Sequence, residues 1–199
     1  MPNYIRRIAP GLWRWTAPHP EWPAKVAPES PSYWPQMVGS VLYTTDESAV
    51  FIDPQLPPEP NKFWTWADQR VQDRPVHVLT TIHWHRRSRD EVAARYGAST
   101  SRAKSNLPRG VESFMLRRAG ETVFWLPGPR ALIPGDRILG DAHGGLRLCP
   151  ESWLHGGMTR TKLKQLLRPL QELPIEHVLV SHGEPAIGNG ARALQGALV

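Results

Sequence analysis

HVLTTIHWHRRS, residues 77–88, combines a strand signal with two closely spaced histidines. Its first half, HVLTT (77–81), is a run of β-branched and aliphatic residues that is typical of a buried strand. His83 and His85 follow directly, two positions apart. Side chains with this spacing face the same side of an extended strand, close enough to share one cation. The segment therefore predicts a polar site at the end of a buried strand.

Two further predicted strands also end in residues that can bind a metal. Residues 130–134 lead into Gly135 and Asp136, and HVLVS (177–181) leads into His182. Polar residues at the carboxyl ends of several strands tend to converge on one crevice. Histidine plus carboxylate, with a position left open, is the ligand set of a catalytic zinc. The candidate metal ligands are therefore His83, His85, Asp136 and His182.

The remaining pattern predicts a layered α/β fold with two sheets, in one domain over residues 1–199. Hairpins are predicted over 4–15, 38–53 and 111–126, and helices over 61–72, 88–96, 159–172 and from 189. Ser88 and Glu91 have the spacing of a capping box, which predicts that the Ser88 hydroxyl caps its helix. Pro169 is expected to kink the helix that contains it.

Residues 18–35 contain too many prolines for a helix or a central strand, which predicts an irregular loop. Pro18, Pro20, Pro23, Pro28, Pro31 and Pro35 all fall in it. The loop also carries Trp22, Tyr33 and Trp34. Aromatic rings on such a loop either cover a pocket or cap the edge of the core.

Composition restricts the class of protein. Of the 199 residues, 40% are hydrophobic and no apolar run approaches the ~18 residues of a membrane span. The single cysteine, Cys149, excludes an internal disulfide and is typical of a reducing cytoplasm. No signal peptide is evident, so a cytoplasmic location is expected. Because 24 Lys and Arg face 18 Asp and Glu, an anionic partner is favoured.

Four segments, in this order, resemble the motifs of the metallo-β-lactamase superfamily. They are FIDP, ending in Asp53 and Pro54, then HWHRRS, then ALIPGDRILG with Asp136, then VLVSHGEP with His182. The resemblance covers most of the chain. It implies an αββα sandwich of two mixed sheets flanked by helices, and the activity of a metal-dependent hydrolase. It also implies that Asp53 is a structural residue that holds the motif loop.

The chain departs from the family pattern at three ligand positions. Arg87 stands where the family's HxHxDH motif has Asp, Ser88 stands where it has the last His, and Arg118 is the nearest equivalent of a further His. An arginine never deprotonates in a protein, so it cannot ligate and it adds positive charge. A two-zinc centre is therefore not expected. The resemblance then implies at most one zinc ion or none, with Arg87 free to pair with Asp136.

Two functions remain open, and a third is disfavoured. A metal-free relative would bind a small anionic molecule through Arg87 and Arg118, and the lost ligands favour this slightly. The alternative is a hydrolase that uses one zinc ion on a small ester, amide or phosphoester, with Asp136 and His182 as catalytic residues. His143 or His155 could supply a missing imidazole. Nucleic acid is not expected as a partner, because the positive charge is scattered along the chain. The sequence leaves the oligomeric state open, and a homo-oligomer is compatible with it.

Overall fold

The computed structural model describes residues 2–27, 30, 33–101, 107–141 and 143–199. Its first sheet has six strands in chain order, antiparallel through the fourth and parallel from there on. The strands are β1 Ile5–Ala9, β2 Leu12–Pro18, β3 Met37–Thr44, β4 Ala49–Ile52, β5 Val76–Leu79 and β6 Ser99–Ser101.

The second half of the chain forms a five-stranded sheet and a separate two-stranded ribbon. These strands are β7 Glu112–Leu116, β8 Glu121–Leu126, β9 Ala131–Ile133, β10 Ile138–Gly140, β11 Leu146–Leu148, β12 His177–Val178 and β13 Ala186–Ile187. The sheet order is β13-β12-β9-β8-β7, with β9 and β12 parallel and the other pairs antiparallel, while β10 and β11 form the ribbon. Both sheets are therefore mixed.

Four helices cover the outer faces of the two sheets. They are α1 Asn61–Val71, α2 Arg89–Tyr96, α3 Arg160–Leu167 and α4 Gly190–Leu198. Phe63 and Val92 of the first two helices pack on the first sheet, and Leu163 and Leu194 of the last two pack on the second. None of these helices has the length and hydropathy of a membrane span within the described residues.

A third apolar cluster lies between the sheets. Leu12, Val50 and Leu79 of the first sheet contact residues such as Phe124 and Ile133 of the second. Helix, sheet, sheet and helix therefore stack in four layers, because each sheet buries both faces. The predicted αββα architecture is confirmed.

The sequence located most of these elements. The helix that starts at Arg160 ends at Leu167 and continues as a 3-10 helix over Arg168–Glu172, so the irregularity falls next to Pro169 as expected. The strands β6, β11 and β13 were not predicted, because two or three residues carry no periodicity. In the proline-rich segment, Pro28 and Pro31 lie outside the described residues.

The capping box predicted at Ser88 is absent. Ser88 stands at the N-cap of α2, but its side chain makes no capping hydrogen bond. Its hydroxyl instead accepts a hydrogen bond of 3.1 Å from the backbone N–H of Leu56. Ser88 is buried, and this N–H lies within its reach and has no strand partner. The hydroxyl therefore joins the helix start to the loop after β4.

Candidate metal centre

His85, Asp136 and His182 come together at one edge of the sandwich. They follow β5, β9 and β12, whose carboxyl ends meet there. One potential ligand atom from each lies within 4.8 Å of the other two. The three residues are only 3%, 5% and 6% exposed. Two imidazoles and a carboxylate thus share a buried site.

Asp136 stands between the two imidazoles. Its Oδ1 lies 3.0 Å from Nε2 of His85 and 3.4 Å from Nε2 of His182. Burial acts to raise the pKa of this carboxyl, but the neighbouring imidazoles outweigh it and hold the pKa well below its ordinary value. Asp136 is therefore a carboxylate, with one oxygen directed at both rings.

Asp53 fixes the orientation of His85. Its Oδ2 lies 2.8 Å from Nδ1 of His85, and its Oδ1 accepts a hydrogen bond of 2.8 Å from the backbone N–H of Thr81. The Thr81 hydroxyl also donates to Asp53. A carboxylate that accepts the Nδ1 proton leaves the Nε2 lone pair for a cation, as in carboxylate–histidine–metal arrangements. Asp53 holds the motif loop, in agreement with the role expected for it.

The pKa of His85 is shifted in opposite directions by its surroundings. Burial and the Arg87 cation lower its pKa, but the Asp136 and Asp53 carboxylates outweigh them and raise the pKa to about 9. The ring therefore sits between two carboxylates in a place that favours a cation.

The donor set fits one zinc ion. In a tetrahedral zinc site with bonds of ~2.1 Å, neighbouring ligand atoms are about 3.4 Å apart. The separations of Asp136 Oδ1 from the two nitrogens, 3.0 and 3.4 Å, match this spacing. Asp136 Oδ1 is also buried, and the polar atoms that face it are these two imidazole nitrogens. Three protein ligands and an open fourth position are the pattern of catalytic zinc.

His83 does not join this group, which corrects the expectation from strand alternation. The strand ends at Leu79, and the chain turns through residues 83–88, with the His85 N–H donating to the Ile82 carbonyl. His83 is consequently exposed, and its ring packs on that of Trp84, 4.5 Å between centroids. Extended geometry was assumed where the chain makes a turn.

Trp84, between the two histidines, also faces the centre. Its Nε1–H donates a hydrogen bond of 2.7 Å to Asp136 Oδ2. Below it, Glu121 accepts hydrogen bonds from the backbone N–H groups of Asp136 and Arg137. Glu121 is buried, which together with the Asp136 charge raises its pKa to about 7. Nothing in the sequence pattern indicated either contact.

Arg87 is tied to the backbone and not to Asp136. Its Nη1 donates to the carbonyls of Gly39 and Asp53, at 2.8 and 3.0 Å, and its Nη2 donates to the Ser181 hydroxyl. No ion pair joins it to Asp136 among the described side chains, contrary to expectation. Two carbonyls and a hydroxyl lie closer to the guanidinium than the carboxylate does.

Arg118 is not brought to the cleft. It is exposed on a 3-10 helix over Arg117–Ala119, which turns the chain back before β8. It does not line the cavity beside the metal ligands. An expected substrate-binding role for Arg118 therefore has no support from its position.

A cleft of about 390 Å³ opens above the three ligands. Trp34 and Trp153 flank His182, with ring centroids 5.5 and 6.1 Å from its imidazole. The further lining residues are His19, Glu21, Trp84, Arg87, Ser152 and His155. The proline-rich loop thus does cover a pocket, and His155 faces it while His143 does not.

Arg14 and Gly39 hold the segment that carries His182. The Arg14 Nη2 donates to the carbonyls of Val180 and Gly183, and the Gly39 N–H donates to the carbonyl of Ser181. The strand β3 can approach this segment because residue 39 has no side chain. A Cβ there would lie 2.6 Å from the Val180 oxygen. The position of His182 therefore depends on the first sheet.

Solved metallo-β-lactamases have the same fold. The chain superposes on the DIM-1 metallo-beta-lactamase with a TM-score of 0.65 at 12% identity, covering 98% of this chain and 95% of that one. For a metallo-beta-lactamase from Erythrobacter litoralis the values are 0.57, 14%, 99% and 97%, and for one from Pontibacter korlensis 0.53, 16%, 98% and 97%. No protein-family model matches the chain, and neither does any curated protein. The chain has the metallo-β-lactamase fold.

Proposed function

We propose that this chain binds one zinc ion through His85, Asp136 and His182 and is a metal-dependent hydrolase. The observation that carries the proposal is the placement of Asp136 Oδ1 at 3.0 and 3.4 Å from two imidazole nitrogens. The Nδ1 of His85 is hydrogen-bonded to Asp53, so Nε2 is the ring atom that faces Asp136 Oδ1. A proton or a metal ion can occupy the position between these two atoms, and zinc would replace the proton there.

A zinc ion fits this position better than a proton does. A proton on His85 would join that ring to Asp136 alone. The His182 Nε2 approaches the same oxygen from a second direction, at 3.4 Å, and a metal ion would bind all three groups. Three donors converging on one point are the arrangement that a metal ion uses.

The surrounding residues fit a hydrolytic site. Bound zinc would supply an activated water and polarise the substrate. Asp53 keeps the His85 nitrogen in position, and Trp34 and Trp153 shield His182 from bulk water. The Arg87 charge at the cleft favours a substrate with an anionic group. The volume of about 390 Å³ suits a small ester, amide or phosphoester.

A second candidate function is a metal-free site for a small anion. It is favoured by Arg87, whose charge lines the cleft and repels cations. In that case a carboxylate or phosphate would bind in the same cleft.

Metal content separates the two functions. We expect the protein, purified without chelator, to contain about one zinc per chain by plasma mass spectrometry. His85→Ala and His182→Ala should lose it, and the exposed His83→Ala should retain it. Hydrolysis of small esters, amides or phosphoesters should stop on chelation and return with zinc. Zinc near zero, unchanged after incubation with the metal, would reject the proposal. Thermal stabilisation by phosphate or dicarboxylates would then support the second function.

A further inference from the structure

We propose that Trp84 is a positioning residue that sets which oxygen of Asp136 serves the metal. This inference rests on the proposed function. The middle residue of the His-Trp-His segment has no role in the ligand set, and the Trp84 side chain is 43% exposed, so it is not part of the core. Its one polar atom is nevertheless committed to a buried carboxylate.

The geometry divides the two oxygens of Asp136 between two tasks. Oδ2 accepts the Trp84 Nε1–H at 2.7 Å, and Oδ1 faces the imidazoles of His85 and His182. An indole N–H can only donate, so Trp84 cannot ligate a metal itself. It can hold Oδ2 away from the ion, which leaves Asp136 as a ligand through one oxygen.

Trp84 is itself held against a buried cation. The Arg137 guanidinium lies 5.6 Å from the Trp84 ring centroid, within the range of a cation–π contact. Arg137 donates to the carbonyls of Ala119 and Trp153, which fixes the guanidinium. The backbone N–H groups of Arg137 and Asp136 both bind Glu121. Ring and carboxylate are thus positioned from the same piece of backbone.

This arrangement also bears on the number of ions. A carboxylate that bridges two metals with one oxygen on each needs both of its oxygens. Here one oxygen accepts a hydrogen bond from Trp84, and Arg87 places a positive charge beside the same cleft. Trp84 therefore disfavours a bridge through both oxygens, and the Arg87 charge disfavours a second ion separately.

The test is the zinc affinity of Trp84→Phe, which keeps an aromatic ring at this position and removes the N–H donor. Loss of such an outer hydrogen bond typically weakens metal binding 10–100-fold. We expect a loss of this size in competition with a chromophoric chelator. Trp64→Phe in α1 is the matched control, because the Trp64 ring packs on Phe63 and Tyr96 and does not line the cleft. Its affinity should change by less than about threefold, below the range for an outer hydrogen bond.

Cobalt substitution supplies a second readout that does not depend on activity. With Oδ2 released in Trp84→Phe, Asp136 can bind through both oxygens, so the coordination number rises and the visible absorption of bound Co²⁺ weakens. Thermal unfolding of the metal-free variant checks that it folds. An unchanged zinc affinity and cobalt spectrum would overturn the role of Trp84 while the proposed function stands. A wild-type protein that takes up no zinc would overturn both.

Discussion

At the scale of single residues, the centre depends on how each polar group is paired. Asp53 is hydrogen-bonded to Nδ1 of His85, and one oxygen of Asp136 accepts a hydrogen bond from Trp84. The Arg87 guanidinium donates to two carbonyls and a hydroxyl. A buried polar group without a partner costs free energy, so we can predict whether each substitution raises or lowers the free energy of unfolding.

His85→Ala should destabilise the metal-free protein by about 3–5 kcal/mol, because it leaves Asp53 and Asp136 buried without the group between them. Urea unfolding at neutral pH measures this free energy. His83→Ala, at an exposed position, should change it by less than about 0.5 kcal/mol. Equal effects of the two substitutions would contradict the assignment of the residues.

Arg87→Met should lower the free energy of unfolding by about 2–4 kcal/mol, because the carbonyls of Gly39 and Asp53 and the Ser181 hydroxyl lose a charged donor. Methionine keeps the length of the side chain without the charge. The same urea titration measures the loss. A stability equal to that of the unaltered protein would mean that water can replace these hydrogen bonds, and that Arg87 contributes nothing to stability.

At the scale of elements, the site is built by loops that join the two sheets. The segment after β5 contacts the second sheet, where the Thr122 N–H donates to the Thr81 carbonyl. The segment after β12 contacts the first sheet, where the Gly39 N–H donates to the Ser181 carbonyl. These hydrogen bonds between the sheets hold the loops that carry the ligands. A substitution within a strand is therefore expected to affect metal binding.

Gly39→Ala tests this coupling. Its Cβ would lie 2.6 Å from the Val180 oxygen and 2.8 Å from Arg14 Nη2, so β3 must move from the His182 segment. We expect a loss of about 1–3 kcal/mol in stability, measured by thermal or urea unfolding, and weaker zinc binding. Gly196→Ala is the control within α4, where nothing lies within 4 Å of the added carbon. It should stabilise the helix by about 0.5–1 kcal/mol. If Gly39→Ala changed neither stability nor zinc binding, the two sheets would have to adjust to the added carbon without cost.

At the scale of the whole molecule, ligands from distant parts of the sequence form one site only in the folded chain. An ion that binds the folded state alone adds about 2.7 kcal/mol to stability at 100 times its dissociation constant. For a chain of this size each kcal/mol shifts the melting temperature by 2–4 °C, so zinc should raise it by roughly 5–11 °C.

Differential scanning calorimetry with zinc and then with excess chelator measures this shift. His85→Ala should show no zinc-dependent rise, because it lacks a ligand, and His83→Ala should show the full rise. A rise of equal size in both variants would indicate that zinc binds elsewhere on the protein.

Most of the elements and the layered fold can be predicted from the sequence, except short strands such as β6, β11 and β13. Strand and helix periodicity is local, so β-branched runs and spaced leucines indicate each element without knowledge of the rest. Asp136 and His182 were found in the same way, since each follows a strand that the sequence marks clearly. The position of Asp53 at the end of β4 was equally evident.

Which side chains come into contact depends on the packing of the folded chain. A turn through residues 83–88 turned His83 outward and directed Trp84 to Asp136, and turns carry no periodic signal that fixes side-chain direction. The partners of Arg87 belong to strands and loops far away in the chain. Hydrogen bonds between distant segments depend on packing of the two sheets, which local sequence does not encode.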